Sequence, residues 1–395
     1  MSTISQNICP SCTSHGLKIF YEVKNIPANS MLFSNHKAAI SLPLGDIRLG
    51  FCKTCGFISN VDFIPSKMDY TSPAPEEQGF SATFNEFIQR IAAQLIKTYS
   101  LHNKCILEIG CGRGDFLALL CELGNNFGIG IDPSPVIGKI ESLASDRLTF
   151  IRDFYSDLYS NFEADLICCR HTLEHIQYTA EFLKTIQRTA KKKLNSVVFF
   201  EVPNVVRILN EGAFWDIYYE HCSYFSLGSL ARLFRSCKFE LQNLRKDYFD
   251  QYLLIEAKPV SQTSEKVYEI EESVPEIIED VKNFSHLCQK KLNFWKNYLQ
   301  QILKNQKRVV IWGSGSKCIG FMTTLNIEEE IEYIIDINPN RQGKFIPGVG
   351  KEIMAPEFLK DYRPDAVIVM NPAYCNEINQ ILVDMGVTAE LIPCS

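Results

Sequence analysis

The segment Glu108-Ile-Gly-Cys-Gly-Arg-Gly114 constrains this chain more than any other stretch. It overlaps the end of Cys105-Ile-Leu-Glu-Ile109, an apolar run with the length of a buried strand, and it precedes Asp115–Leu123, whose spacing is helical. Glycines at alternate positions in such a turn allow positive φ and let a ligand approach the backbone with no Cβ in the way. Phe127–Ile131, Leu148–Ile151, Ala164–Cys168 and Ser196–Phe200 read as further strands separated by helical stretches. That alternation predicts an α/β fold with a mostly parallel sheet covered on both faces. Sheets of this kind bind ligands beyond the carboxyl ends of their strands, where strand order reverses.

Asp132 ends the strand after the glycine turn, where a carboxylate suits the hydroxyls of a ribose. A dinucleotide would use the same geometry. The turn is GxGxG rather than GxGxxG, however, and Glu108 stands two positions before the first glycine, near enough to meet a sulfonium or an amino group. Asp153-Phe154 place an acid and an aromatic after the third strand. Loops of this form resemble motif I of class I methyltransferases. The resemblance implies S-adenosylmethionine as cofactor, bound by Glu108, Gly110, Gly112, Gly114, Asp132, Asp153, Phe154 and Arg170.

Fifteen cysteines, an odd number, in a chain of 395 residues that shows no secretory signal do not read as a disulfide framework, and most lie in apolar surroundings as small hydrophobes. Four are arranged differently. Cys9-Pro-Ser-Cys12 and Cys52-Lys-Thr-Cys55 form two CxxC pairs, followed by Gly16 and Gly56 as tight thiolate turns require. Together they predict a closed tetrahedral site for structural Zn²⁺. A redox pair is the rival, but neither CxxC lies in a βαβ unit.

Residues 66–83, rich in Pro, Ser and Gly, read as a connection, and Phe84 to Tyr99 has helical spacing with Phe84, Phe87, Ile88, Ile91 and Leu95 on one face. Residues 260–306 predict one or two amphipathic helices. A second α/β unit follows, with strands at 308–312, 331–335 and 366–370 and a turn Gly313-Ser-Gly-Ser-Lys-Cys318. Cys318 stands where a dinucleotide loop has its third glycine, so this unit reads as a surface for the nucleotide part of a substrate, or as architecture. The expected organisation is a four-cysteine module (1–65), a connecting segment and helix (66–100), a methyltransferase domain (101–259), a helical linker (260–306) and a C-terminal Rossmann-like domain (307–395).

Chemistry-bearing side chains concentrate in Phe214-Trp-Asp-Ile-Tyr-Tyr-Glu-His-Cys-Ser-Tyr-Phe-Ser226. His221 suits a general base, Glu220 beside it a carboxylate that raises its basicity, and Tyr218 and Tyr224 an aromatic wall with hydroxyl handles. The competing reading packs Tyr224-Phe225 in the core. His171 in Arg170-His-Thr-Leu-Glu-His175 is a rival base, and His175 reads as structural.

The combination of modules is similar to the sugar C-methyltransferases that act on nucleotide-linked ketosugars. The most specific match is Tyr218-Tyr-Glu-His-Cys-Ser-Tyr-Phe-Ser226 to that family's Y-x-E-H-x-x-Y-F-S, and Glu76, Glu77, Gln78, Ser81 and Phe84 resemble its connecting segment. The resemblance implies a dTDP-4-keto-6-deoxy sugar methylated at C3, with His221, Glu220 and Tyr218 catalytic and Tyr224, His171 and Asn204 against the substrate. The segment around His171 and the Asn204 position depart from the family's form, which leaves open an O- or N-methyltransferase of the same architecture. A non-catalytic zinc-containing nucleotide-binding module would leave the EHxxYFS cluster without a role. A net charge of −6 argues against nucleic acid, no apolar run reaches the ~18 residues a bilayer span needs, and the N-terminal residues carry no secretory pattern. A cytoplasmic monomer or homodimer is expected.

Overall fold

The protein is described by a computed structural model covering residues 8–71, 78–134, 142–264, 266–327 and 329–395. Glu76 and Glu77 of the connecting segment lie outside the described residues.

The N-terminal module contains β1 (Lys18–Pro27), the short α1 (His36–Ile40), β2 (Leu44–Phe51) and β3 (Ile58–Asn60), paired antiparallel. The CxxC turns close on Thr13 and Gly56, at φ of 63° and 77°, whose N–H groups donate to the Cys9 and Cys52 carbonyls; Gly16, expected at the first turn, lies three residues beyond it. The next element, α2 (Ala82–Tyr99), starts two residues before its expected apolar face because the Ser81 side chain accepts from Phe84 N–H and caps it.

The central sheet uses β4 (Cys105–Ile109), β5 (Phe127–Asp132), β6 (Leu148–Arg152), β7 (Leu166–Arg170) and β8 (Val197–Pro203), with α3 (Asp115–Gly124), α4 (Thr179–Ala190) and α5 (Val205–Glu211) between or after them. A two-residue strand, β9 (Ser223–Tyr224), then precedes α6 (Leu227–Ser236), β10 (Phe239–Asp247) and β11 (Tyr252–Pro259). The sheet order is β10-β11-β8-β7-β4-β5-β6, with β4 through β8 parallel and β11 antiparallel to both neighbours. Strand order reverses between β4 and β7, so the loop after β4 opens into the crevice that such a switch creates. Meanwhile β9 leaves this sheet and pairs with β3, Ile58 opposite Tyr224 and Ser59 opposite Ser223.

The segment expected as a helical linker is one helix, α7 (Val274–Lys304), begun by a Ser273/Glu276 capping box. Its buried stripe of Ile277, Val281, Phe284, Cys288, Trp295, Leu299 and Ile302 packs on both flanking units. Phe284 meets Phe20 and Tyr21 of β1, and Trp295 meets Phe321 of the C-terminal unit edge to face. The helix is therefore a shared scaffold rather than a tether.

The C-terminal unit runs β12 (Val309–Trp312), α8 (Ser316–Leu325), β13 (Ile334–Ile335), β14 (Ile353–Met354), α9 (Leu359–Tyr362), β15 (Ala366–Val369), α10 (Cys375–Asp384) and β16 (Glu390–Pro393). Its sheet is parallel throughout, in the order β14-β13-β12-β15-β16. Among the described residues no helix is long and apolar enough to cross a membrane.

Candidate active site

The glycine loop after β4 takes φ of 69° at Gly110, 51° at Gly112 and 84° at Gly114. A Cβ on Gly110 would stand 2.0 Å from the Thr172 hydroxyl, so that glycine lets the loop seat against the end of β7. A Cβ on Gly112 would meet no atom within 4 Å and would project into open space. That space is a cavity of about 430 Å³, bordered also by Glu108, Asp132, Phe154 and Arg170. Asp132 holds the loop: its carboxylate accepts from Gly112 N–H at 2.8 Å and from the N–H and hydroxyl of Ser134. Gly114 is not on the cavity wall; it is the left-handed N-cap of α3.

Asp153 departs from its expected place. It does not line the cavity, because its carboxylate accepts from the Tyr159 hydroxyl at 2.5 Å and from Phe154 N–H. The Arg170 guanidinium is also engaged, forked onto Glu201 at 3.1 Å through two nitrogens and lying 4.2 Å over the Phe116 ring. Glu108 is different. It is 3 % exposed, and its Oε2 has no hydrogen-bond partner. Burial pushes its carboxyl up to about 8, against the opposing pull of Arg170. A buried carboxylate with a free oxygen on a cavity wall suits a cationic ligand.

A second cavity of about 290 Å³ adjoins the first, sharing Ser30, Gln78, His171, His175 and Glu220 with it. It extends from Tyr218 and His221 to the C-terminal turn Gly313–Lys317, with Asp336 and Arg341. The segment from Tyr218 to Tyr224 is gripped from the N-terminal module at three points. Ser223-Tyr224 form β9 on the edge of β3, the Tyr219 hydroxyl accepts from Ile64 N–H at 2.8 Å, and Glu220 Oε1 accepts from both the N–H and the hydroxyl of Ser30. On the other side Cys222 N–H donates to the Glu174 carbonyl and the Ser223 hydroxyl to that of Ile176.

Glu220 thus turns toward Ser30 rather than raising the basicity of His221. Burial, followed by His175 and His171, lowers the proton affinity of His221 well below the ordinary imidazole value. It is neutral at pH 7 and able to accept a proton. The Tyr218 ring lies 4.2 Å from it, centroid to centroid, and burial keeps that phenol protonated as a donor. Tyr224 does not reach the cavity. It is in the core with Phe225, since pairing with β3 turns it inward. Asn204 borders the cavity, but its amide caps α5 through Val206 N–H and donates to the Asp250 carbonyl.

His171, the rival base, is held between two carboxylates. Its Nε2 lies 2.7 Å from Glu201 Oε1 and its Nδ1 3.6 Å from Glu174 Oε1. Burial opposes its charge, but the carboxylates outweigh burial and push it up to about 10. Arg170 and His171 in turn hold the buried Glu201 down at about 2. At neutral pH His171 is a fixed cation on the wall between the cavities.

In the C-terminal turn, Ser314 N–H and hydroxyl donate to Asp336, as Gly112 N–H does to Asp132 in the first unit. Lys317 bridges Asp216 at 3.0 Å and Gln251 at 3.1 Å, tying this turn to the central domain. Ser30, Glu174, Glu201 and Lys317 carry the site's electrostatics and went unmarked in the sequence reading. An acid inside the apolar strand Val197–Pro203 is the one local signal among them.

Residues 84–244 match a methyltransferase domain family, and residues 254–388 match a C-methyltransferase C-terminal domain. The chain is 25% identical to the C-methyltransferase NovU of Streptomyces niveus over 307 residues, 69% of this chain and 70% of that protein. The two domain matches and this relative together support a C-methyltransferase family for the chain. Among solved structures it is similar to magnesium protoporphyrin IX methyltransferase (ChlM) from Synechocystis PCC 6803 with bound SAH, at a TM-score of 0.36 and 14% identity over 45% of this chain and 84% of that one. A Burkholderia thailandensis 1,6-didemethyltoxoflavin-N1-methyltransferase gives 0.34 and 16% over 47% and 83%.

The protein is a methyltransferase that uses S-adenosylmethionine. Its first cavity fits that donor on two counts, the open cradle at Gly112 and the free oxygen of the buried Glu108.

Proposed function

We propose that the enzyme methylates C3 of a nucleotide-linked, dTDP-type 4-keto-deoxy sugar through an enolate, with His221 as the base. The observation that carries this reading is the pair of adjoining cavities. One borders the glycine loop, and the other runs from His221 to the Gly313 turn, where Lys317, Asp336 and Arg341 lie on its wall.

When bound, S-adenosylmethionine supplies an electrophilic methyl group to the carbanionic carbon. Gly112 would admit it to the backbone, with Gly110 seating the loop on Thr172, Glu108 would face its positive charge and Phe154 would cover it; Asp132, through the loop it fixes, would set the position. His221 accepts the C3 proton, since burial keeps the ring neutral. Tyr218 donates to the developing enolate oxygen, and the His171 cation adds a positive field on the shared wall. Glu220, held by Ser30, orients the sugar. Lys317, Arg341 and the Gly313 turn face the nucleotide end.

The four thiols fit zinc. Cys9 and Cys55 sulfurs are 3.7 Å apart and those of Cys12 and Cys52 3.6 Å. Tetrahedral Zn–S bonds of about 2.3 Å place sulfurs about 3.8 Å apart. With four protein ligands the metal has no open position, so its role is structural.

Donor binding is expected to expel a proton from Glu108. The folded protein holds this carboxyl protonated below about pH 8, and a sulfonium beside it favours the anion. Donor affinity therefore rises with pH by up to about tenfold per unit below that value, then levels off. Calorimetry across pH 6 to 9 checks this, with Glu108→Gln expected to remove the slope; equal slopes in both proteins would contradict it. The substrate assignment is tested by turnover of a dTDP-4-keto-6-deoxy sugar, with the methylated position read by NMR.

A further inference from the structure

A buried base that has taken a proton from carbon must lose it before the next turnover. His221 is 6 % exposed and sits where charge is disfavoured, with the His171 cation nearby. The ring beside it is that of His175, set perpendicular with centroids 4.9 Å apart. One nitrogen of each ring and a carboxylate oxygen of Glu174 all lie within 4.8 Å of one another. A polar gap of that width takes one bridging water. Glu174 is 1 % exposed and its Oε2 has no hydrogen-bond partner, and the Nδ1 of His175 is likewise buried and unpartnered. Three polar groups thus converge there without satisfying one another.

His175 also has an outlet. It lines the donor-side cavity, the cavity of His221 and a third, outer groove, and among the described residues no other side chain is common to all three. The groove reaches the surface, where Phe154 and Tyr178 are 55 % and 46 % exposed.

We propose that His175 is a proton-relay residue that takes the substrate proton from His221 and delivers it to solvent through the outer groove. The inference rests on the enolate reading above. The C–H bond breaks, its electron pair moves into the enolate, and an N–H bond forms on His221. That N–H then gives its proton to the bridging water as the water gives one to His175. His175 releases its proton to water in the groove, and both imidazoles return to neutral. The Glu174 carboxylate offsets the positive charge in transit.

Deuterium exchange at C3 of a dTDP-4-keto-6-deoxy sugar in D₂O tests this, followed by NMR with S-adenosylhomocysteine present and paired with methyl transfer in H₂O. The wild type is expected to exchange C3–H and to methylate. His175→Ala and the shape-preserving His175→Gln are expected to slow both by about 10²-fold, at unchanged donor affinity, with partial recovery for His175→Ala in free imidazole. Wild-type rates in either variant overturn the relay, as does a loss that imidazole leaves untouched, which marks a structural role. A wild type that neither exchanges nor methylates the sugar instead removes the enolate reading, and the relay with it.

Discussion

His221→Ala is expected to lower methyl transfer by about 10²- to 10⁴-fold while leaving S-adenosylmethionine affinity within about twofold, the range general-base removal commonly produces. The expectation follows from where the charge sits. Of the histidines bordering the second cavity, His171 is protonated between Glu201 and Glu174, whereas burial keeps His221 neutral beside Tyr218. The ring of His221 makes no part of the donor-side cavity, so the two functions separate. Single-turnover transfer with labelled donor, beside calorimetric donor binding, reads both quantities. Turnover retained in His221→Ala would move proton abstraction elsewhere, to Glu220 first among the groups that line both cavities.

Removing the metal from the four-cysteine site, by chelation or by Cys52→Ser, is expected to abolish methyl transfer as well. Zinc at such a site supplies on the order of 10 kcal/mol of folding free energy to a small module. Without it the turns that carry Cys9, Cys12, Cys52 and Cys55 lose their closure, and β3 follows the Cys52 pair directly. The active-site segment would then lose β3 beside Ser223-Tyr224, Ile64 beside Tyr219 and Ser30 on Glu220. The donor cavity is built mainly from the ends of β4, β5 and β7, so donor binding is expected to fall far less than transfer. Metal content, transfer and donor affinity measured on one preparation decide it. Full activity in a metal-free protein would show the grip on Glu220 to be dispensable.

What was legible in the sequence was local. The strand, glycine turn and helix at 105–124, the CxxC turns and the apolar face of α2 are set by neighbours within a few residues, and the structure forms them as elements of the kind expected, whereas Asp132, expected against a ribose, holds the loop through Gly112 N–H. What was illegible depends on distant partners. Tyr224 and His221 share one motif, yet β3, far earlier in the chain, turns Tyr224 into the core. His171 and His221 both follow strands of the sheet, and Glu201, 30 residues beyond His171, joins the nearby Glu174 in favouring the charged form of one of them. Ser30 meets Glu220 across 190 residues with no local mark. Asp153 illustrates the same limit, since its carboxylate answers to Tyr159 rather than to a ligand. The antiparallel strands β10 and β11 were absent from the expected set, and the segment at 260–306 is a scaffold because Trp295 and Phe284 find partners on both sides.

The central claim is carbon methylation of a nucleotide-linked ketosugar. The most direct test incubates the enzyme with a dTDP-4-keto-6-deoxy sugar and S-adenosylmethionine carrying a ¹³C methyl group, and reads the product by NMR. The expected product has the labelled methyl bonded to C3, with the C3–H proton lost to solvent. A label found on oxygen or nitrogen, or a sugar returned unmethylated by an enzyme that still binds the donor, would contradict the claim.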